Sequence, residues 1–107
     1  MKPALTKSLR LLAGLCAIFA ATQTASAGDV AAGKKKALLC QTCHGMDGLS
    51  KLPEAPNLAG QVEVYLVKAL GDYKSGERKN DMMSVVAPAL SEVDIADLAA
   101  FYAGLGQ

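Results

Sequence analysis

Apolar residues recur at helical spacing in three stretches of this chain, and no stretch alternates as a strand would. The first runs through Val30, Gly33, Ala37 and Cys40, with Asp29 in the capping position before it. In the second, Val62, Tyr65, Leu66, Ala69, Leu70 and Tyr73 step by three and four up to Gly76. The third opens on Ser91-Glu92-Val93-Asp94, a capping-box pattern in which the serine oxygen and the acidic side chain each take up a free backbone N–H. Ile95, Leu98, Ala99 and Tyr102 then form its inner stripe, Phe101 lies alongside, and Gly104 and Gly106 end it. The pattern predicts an all-α domain. The connection over 45–60 holds Gly48, Pro53 and Pro56 and reads as turn-rich. The connection over 77–90 is polar at first and then carries Met82, Met83 and Pro88.

Ahead of these stretches stands a segment of different character. Lys2, Lys7 and Arg10 precede the apolar run Leu11 to Ala21, and Ala25-Ser26-Ala27 is a small-x-small cleavage pattern. Residues 1–27 therefore read as a cleaved secretory signal, with the mature domain over 28–107. The apolar run falls short of the roughly 20 residues that a spanning helix needs, so no membrane anchor is expected after cleavage. Cys16 lies inside the run. Leu15 before it is not the small residue of a lipoprotein signal, so Cys16 reads as discarded with the signal.

Export changes the composition. Removing 27 of the 107 residues leaves 80, with eight Lys or Arg against ten Asp or Glu and two cysteines, Cys40 and Cys43. A domain that short has a core near the lower limit for unaided folding, and a buried cofactor would supply the missing apolar mass. A mildly acidic chain with no basic aromatic surface pattern excludes nucleic acid as a partner. Lys34-Lys35-Lys36 reads as a solvated helix face rather than a docking patch.

The two remaining cysteines fall in Cys40-Gln41-Thr42-Cys43-His44, the attachment pattern of a c-type haem. Two thiols at this spacing can add across the two vinyl groups of a porphyrin, and His44 is then placed to bind the iron. A closed zinc site wants four ligands, and Cys40, Cys43 and His44 are only three. A thioredoxin-like redox site wants alternating strands and helices, which the pattern lacks.

His44 is the only histidine of the chain, so a second imidazole is not available to the iron. Methionine is the favoured sixth ligand, because its soft thioether stabilises ferrous over ferric iron. Met46 stands too close to His44 to reach the opposite face, whereas Met82 and Met83 lie in a distant loop that can fold over it. The chemistry does not choose between those two.

Taken with Pro56-Asn57-Leu58-Ala59-Gly60-Gln61, Tyr65-Leu66, Gly76-Glu77-Arg78, Met82-Met83, Leu90-Ser91 and the run Asp94 to Tyr102, the attachment motif resembles the class I c-type cytochromes over residues 29–105. The likeness is to small bacterial periplasmic monohaem cytochromes and to single domains of their di-haem relatives. It implies the small class I cytochrome c fold, with its helices around one haem bound covalently through Cys40 and Cys43. It implies Met83 as axial ligand with His44, Met82 being the alternative. It further implies that the Pro56 carbonyl accepts the His44 Nδ1–H, that Leu58 packs against the haem, and that Gly33 meets Phe101 where the first and last helices cross. Arg78 matches a position near a haem propionate, although a solvated surface arginine is an equal reading. One departure is Asp81 before Met82, where relatives often carry proline.

The function expected is that of a soluble periplasmic one-electron carrier and not an enzyme, passing electrons between donor and acceptor proteins. The alternative is the cytochrome subunit of a larger periplasmic oxidoreductase. A third reading, an open haem coordination site for gas or peroxide as in four-helix cytochromes, is disfavoured by haem attachment near the start of the mature chain.

Overall fold

Asp29 starts the first helix by accepting the Ala32 N–H on its side chain at 2.9 Å, and α1 then runs over Val30–Lys36. In this computed structural model, residues 3–4, 13–14, 16–20 and 28–106 are described. The expected signal segment, 1–27, therefore lies mostly outside the described residues; Cys16, which is described, is an exposed free cysteine.

After α1 the chain tightens into a 3-10 turn, Ala37–Leu39, and then makes one further helical turn, α2, over Gln41–His44. The helix α3 spans Glu63–Ser75 and stops at Gly76, whose φ of +86° suits glycine and few other residues. A short helix α4, Met83–Val86, leads into a second 3-10 turn, Ala87–Ala89. The last helix, α5, covers Glu92–Ala103. Its capping box is complete: Asp94 N–H donates to Ser91 Oγ and Ser91 N–H to Asp94 Oδ2, each at 3.0 Å. The described residues contain helices and no strand, which is the all-α fold the periodicity predicts. None of those helices is long and apolar enough to cross a membrane.

α5 is the hub against which both α1 and α3 pack. The core gathers Leu66 of α3, Leu90, and Ile95, Leu98, Phe101 and Tyr102 of α5, with Ala37 beneath α1. Burying each large apolar side chain contributes about 1.5–3 kcal/mol, which is why the helical stripe rather than local propensity fixes these elements. Gly33 is the crossing point of α1 on α5. A Cβ there would overlap the Asp97 carbonyl and come within 2.8 Å of Phe101 Cβ, so the two backbones meet at a distance only glycine permits.

Two features depart from the sequence expectation. Lys36 does not belong to the solvated face that Lys34 and Lys35 occupy; it turns to α5 and pairs with Asp94 at 2.6 Å and Asp97 at 2.7 Å. The 77–90 connection is also not wholly irregular, since α4 and a 3-10 turn occupy half of it.

Candidate functional site

The short helix α2 brings the two thiols and the imidazole to one side of a single turn. Cys40 sits at its cap, and residues three and four positions further on share a helical face, so Cys43 and His44 follow Cys40. The His44 N–H closes the turn on the Cys40 carbonyl at 2.9 Å. Both thiols are free and half-buried. Burial pushes the Cys40 thiol above its ordinary pKa, because the thiolate loses hydration there.

His44 is 8% exposed, and its Nδ1 lies 2.9 Å from the Pro56 carbonyl oxygen. A carbonyl only accepts, so Nδ1 is the donor. The neutral ring then carries its lone pair on Nε2, the arrangement that fixes tautomer and orientation in a metal-binding histidine.

The loop over 45–60 supplies that carbonyl because it folds back on α2. Gly48, at φ +71°, offers its carbonyl to Leu58 N–H at 2.8 Å and to Ala59 N–H at 3.0 Å. Asn57 Oδ1 accepts the Ser50 N–H at 2.7 Å, and Lys51 N–H returns to the Cys43 carbonyl at 2.8 Å. Leu58 is half-buried and packs on the edge of the core, as Cys40 and Met46 also do.

The methionine pair is held by a residue that the sequence reading passed over. Asn80 Oδ1 accepts both the Met82 and the Met83 N–H, each at 3.0 Å, and the Asn80 N–H donates to Ser84 Oγ at 3.0 Å. An asparagine just ahead of a helix is a recognised cap signal, so the clue was available. The resulting turn leaves Met82 63% exposed and Met83 half-buried. Arg78 stands on the exposed side of α3, where its Nη1 donates to Tyr65 Oη at 3.3 Å and its guanidinium lies 4.7 Å from the Tyr73 ring centre.

Tyr102 is the second residue passed over. It is buried in the inner stripe of α5, and its hydroxyl reaches the Gly45 carbonyl at 3.2 Å. Burial next to Cys40 keeps this phenol protonated far above its ordinary range. The sequence signal was the hydroxyl itself, because a buried tyrosine needs a partner for it.

The family model described as Cytochrome c matches residues 30–105. This chain belongs to the cytochrome c family. It is 49% identical over 78 residues to cytochrome c4 of Pseudomonas aeruginosa, a match that takes in 73% of this chain and 39% of that one. It is 46% identical over 79 residues to cytochrome c-554(548) of Halomonas halodenitrificans, covering 71% of this chain and 95% of that one. Among solved structures, reduced recombinant cytochrome c4 from Pseudomonas stutzeri superposes with a TM-score of 0.70 at 40% identity, over 75% of this chain and 47% of that chain. This cytochrome c domain thus spans about two-fifths to one-half of the cytochrome c4 chains it matches.

Haem c is the group such a domain carries, and the residues present fit it. Two free thiols and an imidazole with Nε2 left as acceptor stand on one face of α2. Among the described residues no three Cys, His, Asp or Glu side chains converge as a bare metal cage. Cys40 and Cys43 occupy positions consistent with covalent attachment.

Proposed function

We propose that this chain is a periplasmic one-electron carrier, exported by cleavage after Ala27 and functioning as the domain over 28–107. The observation that carries this reading is the His44 Nδ1 bond to the Pro56 carbonyl, because it leaves Nε2 as the ligand directly beside the two attachment thiols. When bound, haem c supplies an iron that passes between ferric and ferrous states one electron at a time.

The chain's own residues do the rest. Cys40 and Cys43 would anchor the group, and His44 would hold its iron through Nε2. Met83 would supply the second protein ligand to the iron, its half-burial favouring it over the solvent-facing Met82. Held by these side chains, the group would need little rearrangement of the protein to change its charge by one electron. Leu58 forms apolar wall, and Arg78, steadied by Tyr65 and Tyr73, offers its charge to a propionate. Donor and acceptor are redox proteins, met through the small interfaces, under about 1,200 Å², that such encounters use.

Carbon monoxide tests the reading. The native ferrous protein is expected to keep its visible spectrum when the gas is added at neutral pH. A large shift would mean an open iron position and would overturn the carrier.

A further inference from the structure

Tyr102 fills a place in the core that phenylalanine would fill equally well, so its hydroxyl calls for its own reason. The residue is 3% exposed, and a buried hydroxyl costs stability unless it is bonded. Here it is bonded to the attachment segment. The phenol donates to the Gly45 carbonyl at 3.2 Å, across 57 residues of sequence, and Gly45 directly follows His44. The Tyr102 carbonyl accepts the Gly60 N–H at 3.0 Å, which ties in the end of the loop that carries Pro56. Edge contact with Phe101, with ring centres 5.0 Å apart, sets the ring's orientation.

Its neighbours on α5 differ. Ile95, Leu98 and Phe101 are equally buried, but they pack without any polar atom to aim. Tyr102 therefore ties α5 by a polar bond to Gly45 at the end of α2, whereas its neighbours contribute apolar packing alone.

We propose that Tyr102 is a positioning residue for the haem: its hydroxyl fixes the Cys40–Gly45 turn and biases the bound iron toward its ferrous state. This rests on Cys40, Cys43 and His44 being the attachment site. The sign follows from electrostatics. A donor on the Gly45 carbonyl offsets negative charge close to the iron, and losing that donor stabilises the more positive ferric form.

The test is the reduction potential of the holoprotein in wild type, Tyr102→Phe and Leu98→Ala, and with 3-fluorotyrosine incorporated at position 102. Tyr102→Phe is expected to lower the potential while the ferric iron–methionine absorption band remains. Fluorotyrosine, a stronger donor of nearly the same shape, is expected to raise it. Leu98→Ala is expected to lower the denaturation midpoint and leave the potential in place, which separates latch from packing. Equal potentials in wild type, Tyr102→Phe and the fluorotyrosine protein overturn the proposal, as does a Leu98→Ala shift as large as that of Tyr102→Phe. Should Tyr102→Phe fail to retain haem, the fluorotyrosine protein decides: a raised potential supports the latch and an unchanged one overturns it. Wild-type protein without covalent haem would instead overturn the attachment reading itself.

Discussion

Lys36 and Asp97 clasp the first helix to the last, Nζ to Oδ2 at 2.7 Å. Asp97 is buried, and its other oxygen accepts the Asp29 N–H at 2.8 Å, so a single carboxylate holds both ends of α1. Replacing Asp97 by leucine leaves the Asp29 N–H without its acceptor and the Lys36 ammonium with Asp94 alone. The expected loss is about 2–3 kcal/mol, read from the denaturant midpoint of the holoprotein. Lys34→Ala, on the exposed face, is expected to change stability by less than about 0.5 kcal/mol.

Acid should loosen the same crossing. Lys36 first, and the Ser91 N–H next, hold the Asp94 carboxyl down to about 2, against an ordinary value of 3.8. Lys36 and the Asp29 N–H likewise hold Asp97 below the ordinary range. Folded-state values below unfolded ones mean that this stabilisation is complete above about pH 4 and is lost as pH falls through about 2. The denaturation midpoint should therefore fall between about pH 4 and 2. Asp94→Asn should fall less steeply there than wild type, since acid loss of the haem ligands is common to both.

Gly33 and Gly28 offer a paired comparison. A Cβ at Gly33 would overlap the Asp97 carbonyl, and one at Gly28 would overlap the Ala96 carbonyl. Gly33 is inside α1, so Gly33→Ala must push two helices apart and is expected to cost about 3 kcal/mol or more. Gly28 precedes the helix and can swing away, so Gly28→Ala is expected to cost about 1 kcal/mol or less. Thermal denaturation of both holoproteins checks the order; equal losses would contradict a tight crossing at Gly33.

Asn80 holds the backbone of both methionines through one oxygen. Asn80→Ala is expected to cost about 1 kcal/mol as a lost cap. It is also expected to lower the temperature at which the ferric iron–methionine band disappears by more than global unfolding moves. Coincident shifts would show that Asn80 supports the fold and not the ligand loop.

The helices were legible because each buried stripe is local: Leu66 and Leu70 on α3, and Ile95 and Leu98 on α5, stand at helical spacing within one segment. Caps were legible for the same reason, since Asp29 and Ser91 each act on an N–H group three residues away. The α2 cluster is equally local, its chemistry lying within five consecutive residues. The unread features are long-range. Lys36 looked like one more lysine on a wet face, and only a helix 61 residues away makes it a clasp. Tyr102 looked like core, and only Gly45 explains its hydroxyl. α4 has four residues and no apolar stripe of its own, so its shape comes from Asn80 and from packing near Ala87.

The ligand assignment is the claim from which the carrier follows, and visible spectroscopy of the ferric holoprotein tests it most directly. Met83→Ala and Met82→Ala are compared with wild type for the iron–methionine charge-transfer band. The band is expected to vanish in Met83→Ala and to persist in Met82→Ala. Its persistence in Met83→Ala would contradict His44/Met83 ligation.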